Sequence, residues 1–490
     1  MTTADAAVRP APPLRLDWRL IAPALAGVVA YAFVLLDPKL FVDGDCYWHI
    51  TAGQWMLDHG HVLKTDIFSW SMPGAPWDSH EWLSEVLMAL AYRAGGWSGV
   101  AVLAATAAGA LAMILAARLG RSLAGPALVI VLLVAFSCIA PSLLARPHLL
   151  TLPILAAWTI GLMQAQADRR APSLLLLPLM TLWANLHGGY FFGLALIGPF
   201  ALEALLGAPG RRREVVVGWG VFGVLAVLAA LITPFGIQGL LFPIKLLRMT
   251  SLSHINEWRP ADFSSFEPME LALLLAVFIF VSRGVRMPIV RLLLLLLLLH
   301  MALQHSRHRM LLAIVGALIV ADPLGVALGQ PAAGPAGRRA WIAALTAAGV
   351  AVVLGGLRVA FPIVRTDAIT TPATAFAHVP AALKRQPVFN DYNFGGYLIF
   401  QGVRPFIDGR ADMYGDAFVN SYFDATREGN PDTLDRLIGK YHPAWAIFSP
   451  DNPAVRLLDR TPGWRRIYAD KYAVVQVGDP APASAPVAAR

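Results

Sequence analysis

Apolar residues fall in blocks of about 20, separated by short clusters of Pro, Gly and Arg such as Arg169-Arg170, Arg211-Arg212-Arg213 and Arg338-Arg339. A hydrocarbon core of about 30 Å needs about that many helical residues to cross it. The pattern predicts spans near 19–41, 98–118, 124–143, 149–166, 171–187, 189–207, 215–236, 268–283, 287–304, 309–328 and 340–361. Two stretches are too polar for lipid. In the first, 42–97, the pieces Tyr47–Asp58 and Ser84–Tyr92 read as amphipathic helices lying in the interface, where Trp rings favour the headgroup level. In the second, 362–490, the runs Tyr397–Phe400, Arg404–Ile407, Ala444–Phe448 and Val474–Val477 read as strands, alternating with helical Pro372–Leu383 and Thr433–Tyr441. The expected fold is an α-helical polytopic membrane protein of about 11 transmembrane helices: a transmembrane module over 1–361 and a small α/β domain over 362–490.

Composition removes the other classes. With 57% hydrophobic and 14% charged residues, the 490-residue chain is neither an ordinary soluble enzyme nor disordered. Its net charge of +8 sits mainly in short loops, so it reads as a topology signal rather than a nucleic-acid footprint. Placing the N-terminus inside puts fifteen basic residues, from Arg9 and Arg15 to Arg338 and Arg339, on inner loops against nine on short outer ones. An odd number of spans then leaves the C-terminus outside. No small-residue cleavage site follows Arg9, Arg15 and Arg19, which predicts an uncleaved first span. Cys46 and Cys138 are too far apart to suggest a disulfide framework or a Cys-based metal site. There is no internal repeat of the kind that marks many secondary transporters.

On this topology the polar residues collect at the outer ends of the spans, where lipid tolerates them only at a cost. Asp43-Gly44-Asp45 follows the first span; Asp45 suits a helix cap, and the pair suits a general base or metal ligand. Asp78 and Glu81 have capping-box spacing, with His80 between them free for either use and Glu85 read as a solvated face. Arg146 and His148, then Asn185 and His187, then His254, Asn256, Glu257 and Arg259 lie in further outer loops. His300, Gln304 and Arg307 or His308 share one helical face after eight leucines, which suggests a wet groove. Arg307-His308-Arg309 fits either snorkelling to headgroups or fork-like binding of a phosphate. In the C-terminal part, Asp391, Asp408 and Arg410 lie in glycine-rich loops that suit turn chemistry, including an internal Asp408–Arg410 pair, or substrate contact.

These residues resemble a family. The acidic Asp43-Gly44-Asp45 element, the Trp-rich first outer segment, about eleven spans and an extracytoplasmic C-terminal domain are similar to the GT-C superfamily of integral-membrane glycosyltransferases. Trp48-His49, Thr65-Asp66-Ile67-Phe68-Ser69, His80-Glu81-Trp82-Leu83, Trp183-Ala184-Asn185-Leu186-His187-Gly188-Gly189 and Phe406-Ile407-Asp408-Gly409-Arg410 resemble a poorly characterised bacterial branch of it. Asn390–Gly395 is similar to the Trp-Trp-Asp-Tyr-Gly element of oligosaccharyltransferase catalytic subunits, but here the tryptophans are missing and the glycine is displaced. Acceptor-peptide recognition is therefore not carried across.

The resemblance implies an inverting glycosyltransferase of the bacterial cytoplasmic (inner) membrane, with its active site and C-terminal domain on the extracytoplasmic side. Its donor would be a sugar on a polyprenyl phosphate, its acceptor a lipid, glycan or protein, and its surroundings membrane lipids, with no nucleic acid. Asp43 or Asp45 maps to the general base, and Arg146, His148, Arg307, His308 and Arg309 to the group around the leaving phosphate. His80, Glu81, His187, Glu257, Arg259, Asp391, Asp408 and Arg410 map to acceptor or supporting roles. Oxygen ligands at Asp43 and Asp45 suit Mg²⁺ or Mn²⁺ but fall short of a full set. A flippase or transporter for a lipid-linked sugar, and a non-catalytic envelope-assembly protein, are the rival readings.

Overall fold

Helix α1 (Trp18–Leu36) is the first element of the computed structural model, which describes residues 18–330 and 340–479. Arg9, Arg15, Arg338 and Arg339, used above for topology, lie outside the described residues. The predicted span 19–41 stops five residues early because Pro38 disfavours helix at Asp37, whose carboxylate instead takes the amide of Lys39 at 2.8 Å. Helix α2 (Asp45–His59) follows, and α3 (Trp82–Leu119) then runs for 38 residues through a kink at Gly95-Gly96. Gly96 has φ +57°, a conformation open to glycine at little cost, so the predicted surface piece and the predicted span meet there as one bent element.

The bundle continues with α4 (Gly125–Ile139), α5 (Pro147–Ala167), α6 (Leu177–Leu186), α7 (Tyr190–Leu206) and α8 (Arg212–Ala230). After these come α9 (Gly236–Leu247), α10 (Pro268–Arg283), α11 (Ile289–Gln304), α12 (Ser306–Ala327) and α13 (Ala340–Ala360). Among the described residues, six helices are long and apolar enough to cross a membrane and five shorter apolar ones accompany them. All eleven predicted spans fall on helical segments. Helix α9 is an addition: the predicted seventh span ran to 236, whereas α8 stops at Ala230 and Pro234 precedes a new apolar helix.

Arg118 and Arg291, two of the arginines counted for topology, are paired inside the bundle. Arg118 grips Asp322 through both nitrogens at 3.1 and 2.7 Å, and Arg291 holds Glu203 at 3.0 Å.

The C-terminal part carries a mixed four-stranded sheet, β1 (Val388–Asn390), β2 (Trp445–Phe448), β3 (Trp464–Ala469) and β4 (Val474–Gly478), in the order β1-β2-β4-β3. Strands β1 and β2 are parallel, with Asn390 opposite Ile447, and the other pairings are antiparallel. Two expectations fail here. Tyr397–Phe400 is helical, in α14 (Gly395–Phe400), because Asp391 accepts the Asn393 amide and starts a turn that leads into the helix. Gly396 lets that helix approach α2; a Cβ on it would stand 2.2 Å from the carbonyl oxygen of Gly44. Arg404–Ile407 is not a strand, since the side chain of Asn390 takes its backbone groups: Oδ1 accepts from Phe406 N–H at 2.7 Å and Nδ2 donates to Ile407 O at 2.8 Å. Predicted Thr433–Tyr441 is helical as α15 (Pro431–Tyr441), capped by Asn430.

One apolar core runs from the helices (Val34, Leu111, Trp158, Ile314) into the sheet (Val388, Trp445, Ile447, Val475). The segment between α1 and α3 is bolted to the C-terminal part as well. Trp70 Nε1 donates to Val388 O at 2.9 Å, Tyr47 and Thr371 share a hydrogen bond at 2.8 Å, and Arg365 donates to Phe41 O at 2.9 Å. At the centre of this seam Arg410, fully buried, binds Asp408 at 2.6 Å and Asp66 at 2.7 Å and stacks 4.7 Å from the Trp77 ring. Tyr414 completes the brace with a 2.7 Å bond to Asp408.

Candidate functional site

The 42–97 segment, the loops before α5 and α7, the loop between α9 and α10, the start of α12 and the C-terminal part together line a cavity of about 520 Å³. Its most densely charged wall is built on Arg146. Pro147 occupies the first turn of α5, where its missing N–H costs nothing, and Arg146 sits extended just before it. From there the guanidinium reaches Asp43 at 3.1 Å, Asp45 at 3.1 Å and Glu257 at 2.9 Å.

The two aspartates divide the roles that the sequence left open. Asp43, not Asp45, is spent on the backbone: its Oδ1 accepts the Asp45 amide at 2.8 Å. Asp45 keeps its carboxylate for the cavity, where Oδ1 accepts from Trp48 Nε1 at 3.0 Å. Burial and then the neighbouring charge of Asp43 push its pKa up to about 7, against the pull of Arg146. Burial raises Glu257 too, but the guanidiniums of Arg146 and Arg307 outweigh it and hold the group at about 2. Arg307 lies 3.8 Å from Glu257 and stacks over Trp258 at 4.3 Å.

A second cluster gathers around Glu81. The expected capping box is not formed: α3 has no side-chain cap, and the Glu81 carboxyl points instead towards His187 Nε2 at 3.3 Å, His80 Nε2 at 3.7 Å and His49 Nε2 at 3.8 Å. Burial, with Glu85 nearby, pushes Glu81 up to about 8, while burial lowers His80 to about 4. Glu85 is not on a solvated face. Only 1% exposed, it lies 3.4 Å from His49 Nδ1 and accepts from Ser79.

Of the residues singled out in the sequence, Asp43, Asp45, His80, Glu81, Arg146, His148, His187, Glu257, Arg307, His308, Arg309 and Arg410 line the cavity. Arg309 is paired with Glu267, and Arg410 is consumed by the brace. Asp408, Asp391 and Arg259 lie off the lining. Asp408 is fully buried under Arg410 and Tyr414; Asp391 is held by Ser449 at 2.7 Å and Asn452 at 3.1 Å; Arg259 is exposed. His300 and Gln304 are exposed, because α11 ends at Gln304 and the following turn carries Arg307 and His308 away from that face.

Several cavity residues went unselected in the sequence: His49, Glu85, Trp183, Tyr392, Asp412 and Arg427. Burial pushes Asp412 up to about 6. Arg427 donates to the carbonyl of His254 and lies 4.3 Å over Phe423. A signal existed for four of them, since His49, Trp183 and Tyr392 stand inside quoted motifs and Asp412 follows Asp408 and Arg410 in the same acidic loop; nothing local marks Arg427.

The described residues contain no group of three or more His, Cys, Asp or Glu side chains arranged to hold a metal ion. Between Asp43 and Asp45, the position that a divalent cation would take is filled by the guanidinium of Arg146. The residues therefore do not fit the expected Mg²⁺ or Mn²⁺ site, and no step below runs through one.

No family model matches the chain, and no curated protein does. Among solved structures it is similar to ArnT from Cupriavidus metallidurans bound to undecaprenyl phosphate, with 13% identity and a TM-score of 0.52. That match covers 94% of this chain and 98% of the other. At this identity the likeness concerns the fold alone: the chain shares the fold of that protein, with several helices long and apolar enough to cross a membrane.

Proposed function

We propose that this chain transfers a sugar from a polyprenyl-phosphate donor to an acceptor at the outer face of the bacterial cytoplasmic membrane, with Asp45 as general base. The observation that carries the reading is the Asp43–Asp45–Arg146–Glu257 group on the wall of an enclosed cavity, with one carboxylate poised near 7. A base is most effective when its pKa lies near the working pH. In one displacement the acceptor oxygen bonds to the anomeric carbon, its proton passes to Asp45, and the carbon–oxygen bond to phosphate breaks with inversion. The polyprenyl phosphate leaves as an anion, and Arg307, whose guanidinium lines the same cavity, stabilises that charge. Arg146, held by three carboxylates, acts on Asp45 rather than on the phosphate: it orients the base and keeps its pKa from rising further.

The likeness to a protein bound to undecaprenyl phosphate supports a lipid-linked donor. The N-in, C-out topology, the outer position of the cavity and the division at residue 361 are part of this proposal. The pairs Arg118–Asp322 and Arg291–Glu203 support a transferase over a flippase, since they tie helices together away from the cavity.

Mass spectrometry of envelope glycolipids and glycans tests the reading in a strain lacking this chain. Wild type is expected to restore a product heavier by one or more sugars, and Asp45→Asn is expected not to, at equal expression. Full restoration by Asp45→Asn overturns the role of that carboxylate, and an unchanged glycan profile in the deletion strain overturns the transferase.

A further inference from the structure

One part of the cavity is set apart from the arginines by its hydrogen-bonding character. The tautomers follow from geometry. His187 Nδ1 accepts the Gly189 amide at 2.9 Å, so the ring proton sits on Nε2 and points at Glu81. His80 Nδ1 faces the carbonyl of Asp78 at 3.3 Å, so that nitrogen carries the proton, and because burial favours the neutral ring its Nε2 offers a lone pair to the cavity. His148 Nε2 donates to Ser142 O at 2.7 Å, which leaves its Nδ1 as an acceptor. Beside them Trp183, 2% exposed and lining the cavity, has an Nε1–H with no acceptor in the protein. A buried donor left unmade is costly, so such groups in a cavity wall are expected to be met by what the cavity binds. Gly189 keeps this corner open: a Cβ there would stand 2.9 Å from His187 Nδ1 and 3.6 Å from Trp183 Nε1.

Resting on the transferase reading above, we infer that the Trp183, His187, His80 and Glu81 corner holds the transferred sugar and selects an uncharged, hydroxyl-bearing ring. Each wall group either donates or accepts one hydrogen bond, and a hydroxyl does both. A metal ion would need the lone pair of His187 Nε2, which is available only if the ring gives up the Gly189 amide. An ammonium or carboxylate substituent would need an opposite charge. The proton positions of His80 and His187 present neutral imidazoles, and burial raises Glu81 towards its neutral form. A site built to hydrogen-bond a hydroxyl also discriminates strongly against an analogue that lacks it.

The test is binding to the full-length chain in lipid nanodiscs. Its probes are bare polyprenyl phosphate, the same carrier with a neutral hexose, and carriers with an amino sugar or a uronic acid. The neutral hexose carrier is expected to bind tightest. Trp183→Phe should cut its advantage over the bare carrier by about 3- to 10-fold and leave bare-carrier binding and the ligand-free melting temperature unchanged, while His187→Phe should cut that advantage alike and lower the melting temperature, because the Gly189 amide loses its acceptor. Tighter binding of the amino-sugar or uronate carrier overturns the inference but leaves the transferase standing. So does an unaltered advantage in a well-folded Trp183→Phe. If no carrier binds, the transferase reading fails and takes the inference with it.

Discussion

Two arginines in this molecule each gather carboxylates from distant parts of the chain, yet they do different work. Arg410 binds Asp66 and Asp408 with all three side chains at 0% exposure, and Tyr414 takes an oxygen of Asp408. Arg146 binds Asp43, Asp45 and Glu257 with its side chain 20% exposed to a cavity, and one of its partners is held near 7 rather than ionised outright. A group whose bonds are all taken inside the protein is a brace. One that keeps a poised carboxylate facing open volume is fit for proton transfer. Arg–acid chemistry alone therefore does not mark a site; what remains unspent does.

The contrast breaks first at the brace. Arg410→Ala leaves Asp66 and Asp408 buried without a counter-charge, and it should destabilise the fold by about 3–5 kcal/mol, read as a large fall in melting temperature or loss of folded protein. Next is the pH profile of transfer, measured on purified protein. Asp45 must be ionised to act, so the rate should rise through about 7 and fall about 50-fold between pH 7 and pH 5. Stability moves the other way. A pKa raised from 3.8 to about 7 means that folding favours protonated Asp45, a contribution complete below the ordinary value and lost as pH climbs through about 7. Asp45→Asn should flatten that part of the melting-temperature profile.

A smaller effect is expected at Glu257. Glu257→Gln keeps the shape but removes the charge that holds Arg146 and Arg307, so kcat/KM should fall about tenfold with the fold intact. Smallest of all is Arg466→Ala. Its pair with Asp459 is solvent-exposed, and its loss should change stability by about 0.5 kcal/mol or less and leave transfer untouched.

Much of the helical layout was legible because lipid demands unbroken apolar blocks, and such blocks are visible without knowing their neighbours. The bend at Gly95-Gly96 was not predicted, although the glycine pair stands between the two patterns read at Ser84–Tyr92 and 98–118. Strand β1 was not. Its residues Val388, Phe389 and Asn390 are all buried, so it shows no alternation. Within the site, Asp43, Asp45 and Arg146 stood out because charge at a span end is costly. Glu85 did not, because its burial depends on His49, more than 30 residues away in sequence. The brace was half visible, since Asp408 and Arg410 are neighbours, but its third member, Asp66, joins them from across the chain.

The most direct test of the central claim is a transfer assay on the purified full-length chain in lipid, with a polyprenyl-phosphate-linked sugar and an envelope lipid extract as acceptor. Mass spectrometry would follow the bare polyprenyl phosphate released and the acceptor gaining the sugar. Wild type should form both in equal amounts, and Asp45→Asn should form them about 100- to 10,000-fold more slowly with a melting temperature no lower than that of wild type. Equal rates for the two proteins would contradict the account.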